Sequence, residues 1–286
     1  MTLVEAAAPA LPAPRSQRIA IAIATTLLVA VYAPTVAWLF DRWTMSVWHH
    51  AHGLLIPPVV AWFVHQELRG LSQVPVAASP WGFMLVIPAL ALHALDAGMH
   101  TQLLSAVSLV MLLPGLSLLV LGTKRTRAIV LPLAFLAFAL PIPLGLTEQI
   151  HWLLRLVATA GTSAVVPLFG IPLFVEGTTL HMPQGALQVA DACSGFSTLY
   201  AAVAVACLTA YSSHSAAWRR IVVLLSAVPL AIAANLLRVI VLVLLVVWKG
   251  EAILETFVHP LSGMMTFALA LPVILWLGEE RRKGAS

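Results

Sequence analysis

Charge is scarce in this sequence: only 9% of its 286 residues are Asp, Glu, Lys or Arg. A soluble domain carries about 25%, so this chain cannot build a water-facing surface. That excludes a cytosolic enzyme and a nucleic-acid-binding domain. Cysteine is nearly absent too, with Cys193 and Cys207 alone, which excludes a secreted disulfide scaffold. On one helix the two would stand roughly 21 Å apart along its axis, far beyond disulfide reach. There is no P-loop, no dinucleotide fingerprint, no internal repeat and no soluble domain in the chain.

What is there is apolar. Hydrophobic residues make up 61% and the mean hydropathy is +0.99; Ile221–Trp248 runs 28 residues with a single Arg. The fold class is therefore an all-α polytopic membrane protein. Apolar runs fall at Ile19–Phe40, Leu54–Val64, Trp81–Leu95, Leu103–Leu121, Ala128–Leu146, Phe196–Tyr211, Ile221–Trp248 and Pro260–Leu277. A ninth, His151–Phe169, is weaker and holds His151, Arg155 and Pro167. Basic residues gather in cytoplasmic loops. With eight crossings, Arg15, Arg18, Arg69, Lys124, Arg125, Arg127, Arg219, Arg220, Arg281, Arg282 and Lys283 all fall on one side.

The expectation is thus about eight transmembrane helices with both termini cytoplasmic, while His151–Phe169 lies along the outer face or re-enters from it. Residues 1–18 are expected as a disordered cytoplasmic tail, 19–278 as one membrane domain whose first span is not cleaved, and 279–286 as a basic cytoplasmic tail. The long outer stretch from Thr147 to Ser194 alternates weakly around Gly177 and Pro183-Gln184-Gly185. That predicts a small hairpin of Leu173–Glu176, Thr179–His181 and Leu187–Val189.

Chemistry concentrates on the outer side. His49, His50, His52, His100, His151, His181 and His259 all map there. Their spacing matches no helical i, i+4 ligand pair and no carboxylate or cysteine cluster accompanies them. They read as interfacial histidines bonding backbone and water, with no metal or cofactor required. Arg238 lies between Asn235-Leu236-Leu237 and Val239-Ile240-Val241, where burying a guanidinium costs about 2.5–3.5 kcal/mol. It stands about 27 Å along its span from the cytoplasmic end, in the outer half, with Asn235 three residues earlier on the same face. The structural alternative is an arginine that snorkels to headgroups or pairs with Asp191.

Cys193 sits at the outer mouth of the sixth span in Asp191-Ala192-Cys193-Ser194-Gly195-Phe196. There the helix dipole and a nearby cation are expected to lower its pKa. Gly195 permits close backbone approach, Ser194 is a rival nucleophile, and Cys207, mid-span among Ala and Val, reads as a small core residue. His259 opens the last span at the depth of Cys193. A thiol, an imidazole and a guanidinium at one level suit acyl transfer: nucleophile, proton carrier and oxyanion partner. Two other readings compete. A transporter or channel would use Arg238 as an anion site, but it predicts inverted repeats and polar residues in several spans. A metal-dependent membrane enzyme would use the outer histidines and lose activity to a chelator rather than to a thiol alkylator.

Four stretches then resemble one known family, the exosortase/archaeosortase membrane cysteine transpeptidases, from Trp48 to Leu277. His52-Gly53-Leu54-Leu55-Ile56-Pro57-Pro58, with Trp62 and Arg69, is similar to its Ser-His-Gly-Phe block, Ala51 replacing Ser. Gly170-Ile171-Pro172 with Glu176-Gly177 and Leu180-His181-Met182-Pro183 resembles its outer loop. Ala190-Asp191-Ala192-Cys193-Ser194-Gly195 resembles the nucleophile motif, with Asp191 where Glu is common and Phe196 where Leu is common. Asn235-Leu236-Leu237-Arg238-Val239 resembles the arginine motif, and His259 with Ser262-Gly263 the histidine one.

The resemblance implies Cys193, Arg238 and His259 as catalytic residues, supported by Asn235, Ser194, Gly195, Asp191, His52 and Glu176. It implies an enzyme of the cytoplasmic (inner) membrane with its active site on the outer, periplasmic side. Its partners would be secreted proteins bearing a C-terminal sorting tail: a short motif (Pro-Glu-Pro in the bacterial branch), a transmembrane helix and a basic end. The outer hairpin is a plausible reader of that motif by main-chain pairing.

Overall fold

The computed structural model describes residues 15–45, 51–190, 193–213 and 215–279, and of residues 15–18, 20, 45, 51–52, 144 and 258–260 the backbone alone. So few polar side chains leave the backbone to satisfy its own N–H and C=O groups, which in a bilayer means helices. Nine α-helices form among the described residues: α1 (Arg15–Met45), α2 (Ile56–Gly70), α3 (Phe83–Met99), α4 (Leu103–Leu121), α5 (Thr123–Ala134), α6 (Leu144–Val165), α7 (Phe196–Ser212), α8 (Ala217–Lys249) and α9 (Val258–Gly278). Prolines 34, 88, 114, 132, 229 and 272 all lie inside helices, a pattern that membrane helices tolerate. α1 begins at Arg15, inside the stretch expected as a tail. Residues 1–14 and 280–286 lie outside the described residues, as do His49, His50, Asp191 and His214.

Among the described residues, six helical segments are long and apolar enough to cross a bilayer: Ile21–Thr44, Pro80–Met99, Leu103–Leu121, Gly145–Phe169, Ala217–Lys249 and Leu261–Gly278; Phe196–Ser212 is apolar but shorter. Helix length therefore does not reproduce the expected count of eight. The expected span Ala128–Leu146 is not one helix. α5 tightens into a 3-10 turn at Phe135–Ala139 and the chain then extends through Pro141 and Pro143 before α6 starts. Two prolines so close remove donors and hold the preceding residues out of the helical region. Beyond them α6 is an unbroken helix of 22 residues, in the segment whose apolar pattern is weakest.

Two helix groups result. In the first, α3 and α4 fold back on each other through Asp96, whose carboxylate accepts from Thr101 Oγ1 and from the Ser105 N–H. α1 joins them through Tyr32 to Ser108 and Thr35 to Gln102. In the second, α7, α8 and α9 pack along small side chains, Ala202, Ala206, Ala227 and Ala231, with Val223 and Ile274, which lets helices approach closely in lipid. The Tyr211 hydroxyl, donating to Glu67, ties the groups together, with Phe63 and Phe135 edge-on to its ring. At the same end Arg125 donates to Val74 O (2.7 Å) and Arg219 to Glu279 O (3.4 Å). The helix ends that carry Arg69, Lys124, Arg125, Arg127, Arg219 and Arg220 are thus gathered at one end of the molecule.

The opposite end carries a three-stranded antiparallel sheet, β1 (Phe174–Glu176), β2 (Thr179–Met182) and β3 (Gly185–Gln188), in that order. The pairing Glu176↔Thr179 leaves a two-residue turn at Gly177-Thr178, and Gly177 supplies the positive φ (60°) that such a turn requires. Leu180 and Leu187 point inward and are buried with Val189, Val239, Leu242, Val243 and Val246. The sheet is therefore a cap on the far end of α8.

Candidate functional site

Beneath that cap lies Cys193, buried in the same apolar cluster as Leu180 and Leu187 and only 1% exposed. It sits in the turn that joins the sheet to α7. Its N–H donates to Ala190 O at 2.9 Å, and the helix begins three residues later. Asn235 of α8 holds this turn in place. Its Nδ2 donates to the carbonyls of Cys193 (3.1 Å) and Ser194 (3.0 Å), so both amide hydrogens are used on the backbone of this turn. This contact is close because residue 195 is glycine. A Cβ there would come within 2.4 Å of Asn235 Cγ, and Gly195 has φ +81°.

A substitution at Gly195 is accordingly severe. The left-handed conformation costs about 1–2 kcal/mol for an L-residue and the overlap about 1–3 kcal/mol more. Gly195→Ala is expected to lower the melting temperature in detergent and the yield in membranes. An unchanged melting temperature would mean that the turn does not depend on this close approach.

One helical turn beyond Asn235, Arg238 is 8% exposed. Its Nε donates to Ser262 Oγ of α9 at 2.8 Å, and Ser262 O in turn accepts from Thr266 Oγ1 at 2.7 Å. The backbone of Gly263 faces the guanidinium plane, where a Cβ would lie 3.6–3.7 Å from its atoms. α9 thus fixes the guanidinium from one edge and one face.

Burial pushes the Cys193 thiol up, and the Arg238 charge pulls it back only part of the way. The motif alone leads one to expect a lowered value, from the dipole and a cation; the apolar cluster outweighs both. The resting site therefore favours the thiol over the thiolate.

The remaining expected residues are more scattered. His259 lies in the first turn of α9, three residues before Ser262, and His52 in the 3-10 turn Ala51–Leu54; their side chains lie outside the described residues, as does the whole of Asp191. Glu176 ends β1, its carboxylate 3.2 Å from His181 Nε2. It lies on the sheet face opposite Leu180, hence away from Cys193. Cys207 lies within α7. Among the described residues no three His, Cys, Asp or Glu side chains assemble as a metal-ligand set.

One residue at the site is not evident from the sequence. His151 of α6, which groups there with the interfacial histidines, is 6% exposed. Its Nδ1 lies 2.7 Å from Ser194 Oγ, and its ring is 4.6 Å from that of Phe196. Its sequence separation from Ser194 is 43 residues, and no local pattern signals the contact.

The model of a protein family described as transmembrane exosortase matches residues 43–276, more than four-fifths of the chain. No curated protein and no solved structure matches it.

Proposed function

We propose that this chain, which belongs to the transmembrane exosortase family, cleaves the C-terminal sorting tails of secreted proteins at the outer face of the cytoplasmic membrane. Family membership makes it a membrane transpeptidase; the substrate tail, the acyl-enzyme and the residue roles are our reading of the site. One observation carries that reading. The Asn235 amide binds the Cys193 turn to the face of α8 that bears Arg238, so that the guanidinium charge acts on the thiol.

In this reading the Cys193 proton passes to His259, and the sulfur attacks the scissile carbonyl carbon. The oxygen that gains charge is met by the guanidinium of Arg238, which α9 orients through the bond from Nε to Ser262 Oγ. Collapse breaks the C–N bond, the leaving amine takes the proton from His259, and a thioester remains on Cys193. A second amine, or water, gives a proton to His259 and bonds to the thioester carbon; the C–S bond breaks, the product leaves and the proton returns to Cys193. β1 is the outer edge strand of the sheet, and it is the strand on which an extended substrate segment would pair. Asp191, His52 and Glu176 remain supporting residues by resemblance.

The test is co-expression of the full chain with a secreted reporter ending in a Pro-Glu-Pro segment, an apolar helix and a basic tail. Release of the tail is expected, blocked by a thiol alkylator and indifferent to a chelator. The reverse pattern of inhibition would overturn the cysteine mechanism in favour of a metal. The orientation is tested separately by reporter fusions after Gly122, Gly185 and Lys249. The first is expected to report the cytoplasm and the other two the outside, with both termini cytoplasmic. A cytoplasmic signal at Gly185 would place Cys193 on the wrong side for a secreted substrate.

A further inference from the structure

The turn that carries Cys193 is held from two helices, and only one of the two holds is implied by the motifs. α8 grips it through Asn235, on the carbonyls of Cys193 and Ser194. α6 grips it through His151, on the Ser194 hydroxyl. That hydroxyl also accepts from the Phe196 N–H at 3.3 Å, at the start of α7. The hydrogen between Oγ and Nδ1 is carried by the hydroxyl or by the ring according to the imidazole tautomer. Both partners are almost wholly buried, at 1% and 6% exposure, so the bond is shielded from competing water. Leu154 and Ala158, one and two turns along α6, line a cavity of about 10 Å³ with Ser194, Gly195 and Asn235. α6 is thus a wall of the site as well as the source of its imidazole.

We infer that His151 is a positioning residue for the nucleophile: by pinning Ser194 Oγ it fixes the residue beside Cys193 and with it the direction of the thiol. This rests on the reading of Cys193 as nucleophile. His151 acts through Ser194 and has no proton-transfer role with substrate. The same contact assigns Ser194 a structural duty, the capping of α7, in place of the rival nucleophile's part.

The experiment uses the full chain in membrane vesicles, in a Cys207→Ala background, with two readouts. One is release of the reporter tail. The other is the rate at which a small neutral reagent, methyl methanethiosulfonate, labels Cys193. His151→Phe keeps a ring against Phe196 and removes the hydrogen bond. Per folded molecule it is expected to slow tail release on the order of tenfold to a hundredfold, the range that a nucleophile displaced by about 1 Å loses. Labelling moves the other way, several-fold faster, because a loosened turn exposes a thiol that is now buried. In a Ser194→Ala background the same substitution is expected to change either readout by no more than about twofold, since the bond between these two side chains is then already absent.

If His151→Phe does not accumulate, His151→Asn and His151→Gln decide. Asparagine places its amide near the Nδ1 position and is expected to release the tail about tenfold faster than glutamine, which reaches toward Nε2. Wild-type release and labelling in His151→Phe, an undiminished effect in the Ser194→Ala background, or equal asparagine and glutamine variants would each overturn the inference. Failure of the nucleophile reading looks different: Cys193→Ala would then release the tail normally, while labelling would still report whether His151 holds the turn.

Discussion

Replacing Cys193 with alanine or with serine is expected to abolish tail release, while Cys207→Ala leaves it within about twofold of wild type. Loss of a catalytic nucleophile costs on the order of 10⁶-fold in a well-studied protease, and the serine variant should be no better than the alanine one. The reason is the setting of the side chain. Burial already pushes the thiol up despite Arg238, so an alcohol, with a far higher intrinsic pKa, has no means of ionising there. Cys207 is a mid-helix residue of α7, and its loss removes one sulfur from a lipid-embedded helix. The measurement is tail release per folded molecule, with abundance followed by immunoblot. Wild-type release from Cys193→Ala would exclude covalent catalysis by this residue.

Arg238→Lys is expected to lower turnover roughly 100- to 1,000-fold, the loss that accompanies removal of one oxyanion donor, about 2.7–4 kcal/mol. Lysine retains the charge but has no fork: it cannot donate to Ser262 Oγ with one edge and to an oxyanion with the other. The guanidinium pulls the Cys193 thiol down, so moving or deleting it must shift the thiol's titration to higher pH. Alkylation rate followed against pH should therefore rise later in Arg238→Lys than in wild type, and later still in Arg238→Ala. If Arg238 serves packing alone, Arg238→Ala would lower abundance while surviving molecules turn over normally. That outcome would leave the oxyanion partner unidentified.

The parts of this molecule legible in the sequence are those governed by composition and short spacing. Long apolar runs such as Ile221–Trp248 become helices because lipid offers the backbone no other partner. The i, i+3 spacing of Asn235 and Arg238 does place both on the face that meets Cys193 and Ser262. The illegible parts depend on competition between distant segments. The run Ala128–Leu146 has a span's hydropathy, yet Pro141 and Pro143 break it, and the helix forms instead from Leu144 onward. The direction of the Cys193 shift is the reverse of the expected one because a motif registers the cation and the dipole but not the burial imposed by Leu180, Leu187 and Val243. His151 passes for an interfacial histidine, since nothing near it in the chain reveals that α6 leans on the turn before α7.

α8 also sets a length. Its 33 residues measure about 50 Å, more than the ~30 Å of a hydrocarbon layer, and protein covers one side of the far end. From Val239 onward its inward side is sealed by the capping sheet, with Val239, Leu242, Val243 and Val246 all at 0% exposure. From Ile221 to Arg238 the helix measures 18 residues, or about 27 Å. In the reading proposed above, this stretch acts as a ruler, with zero at Arg219 and Arg220 and its mark at Arg238. A substrate helix lying alongside, stopped by its own basic residues at the same level, needs about 18 residues to bring its next peptide bond to the mark.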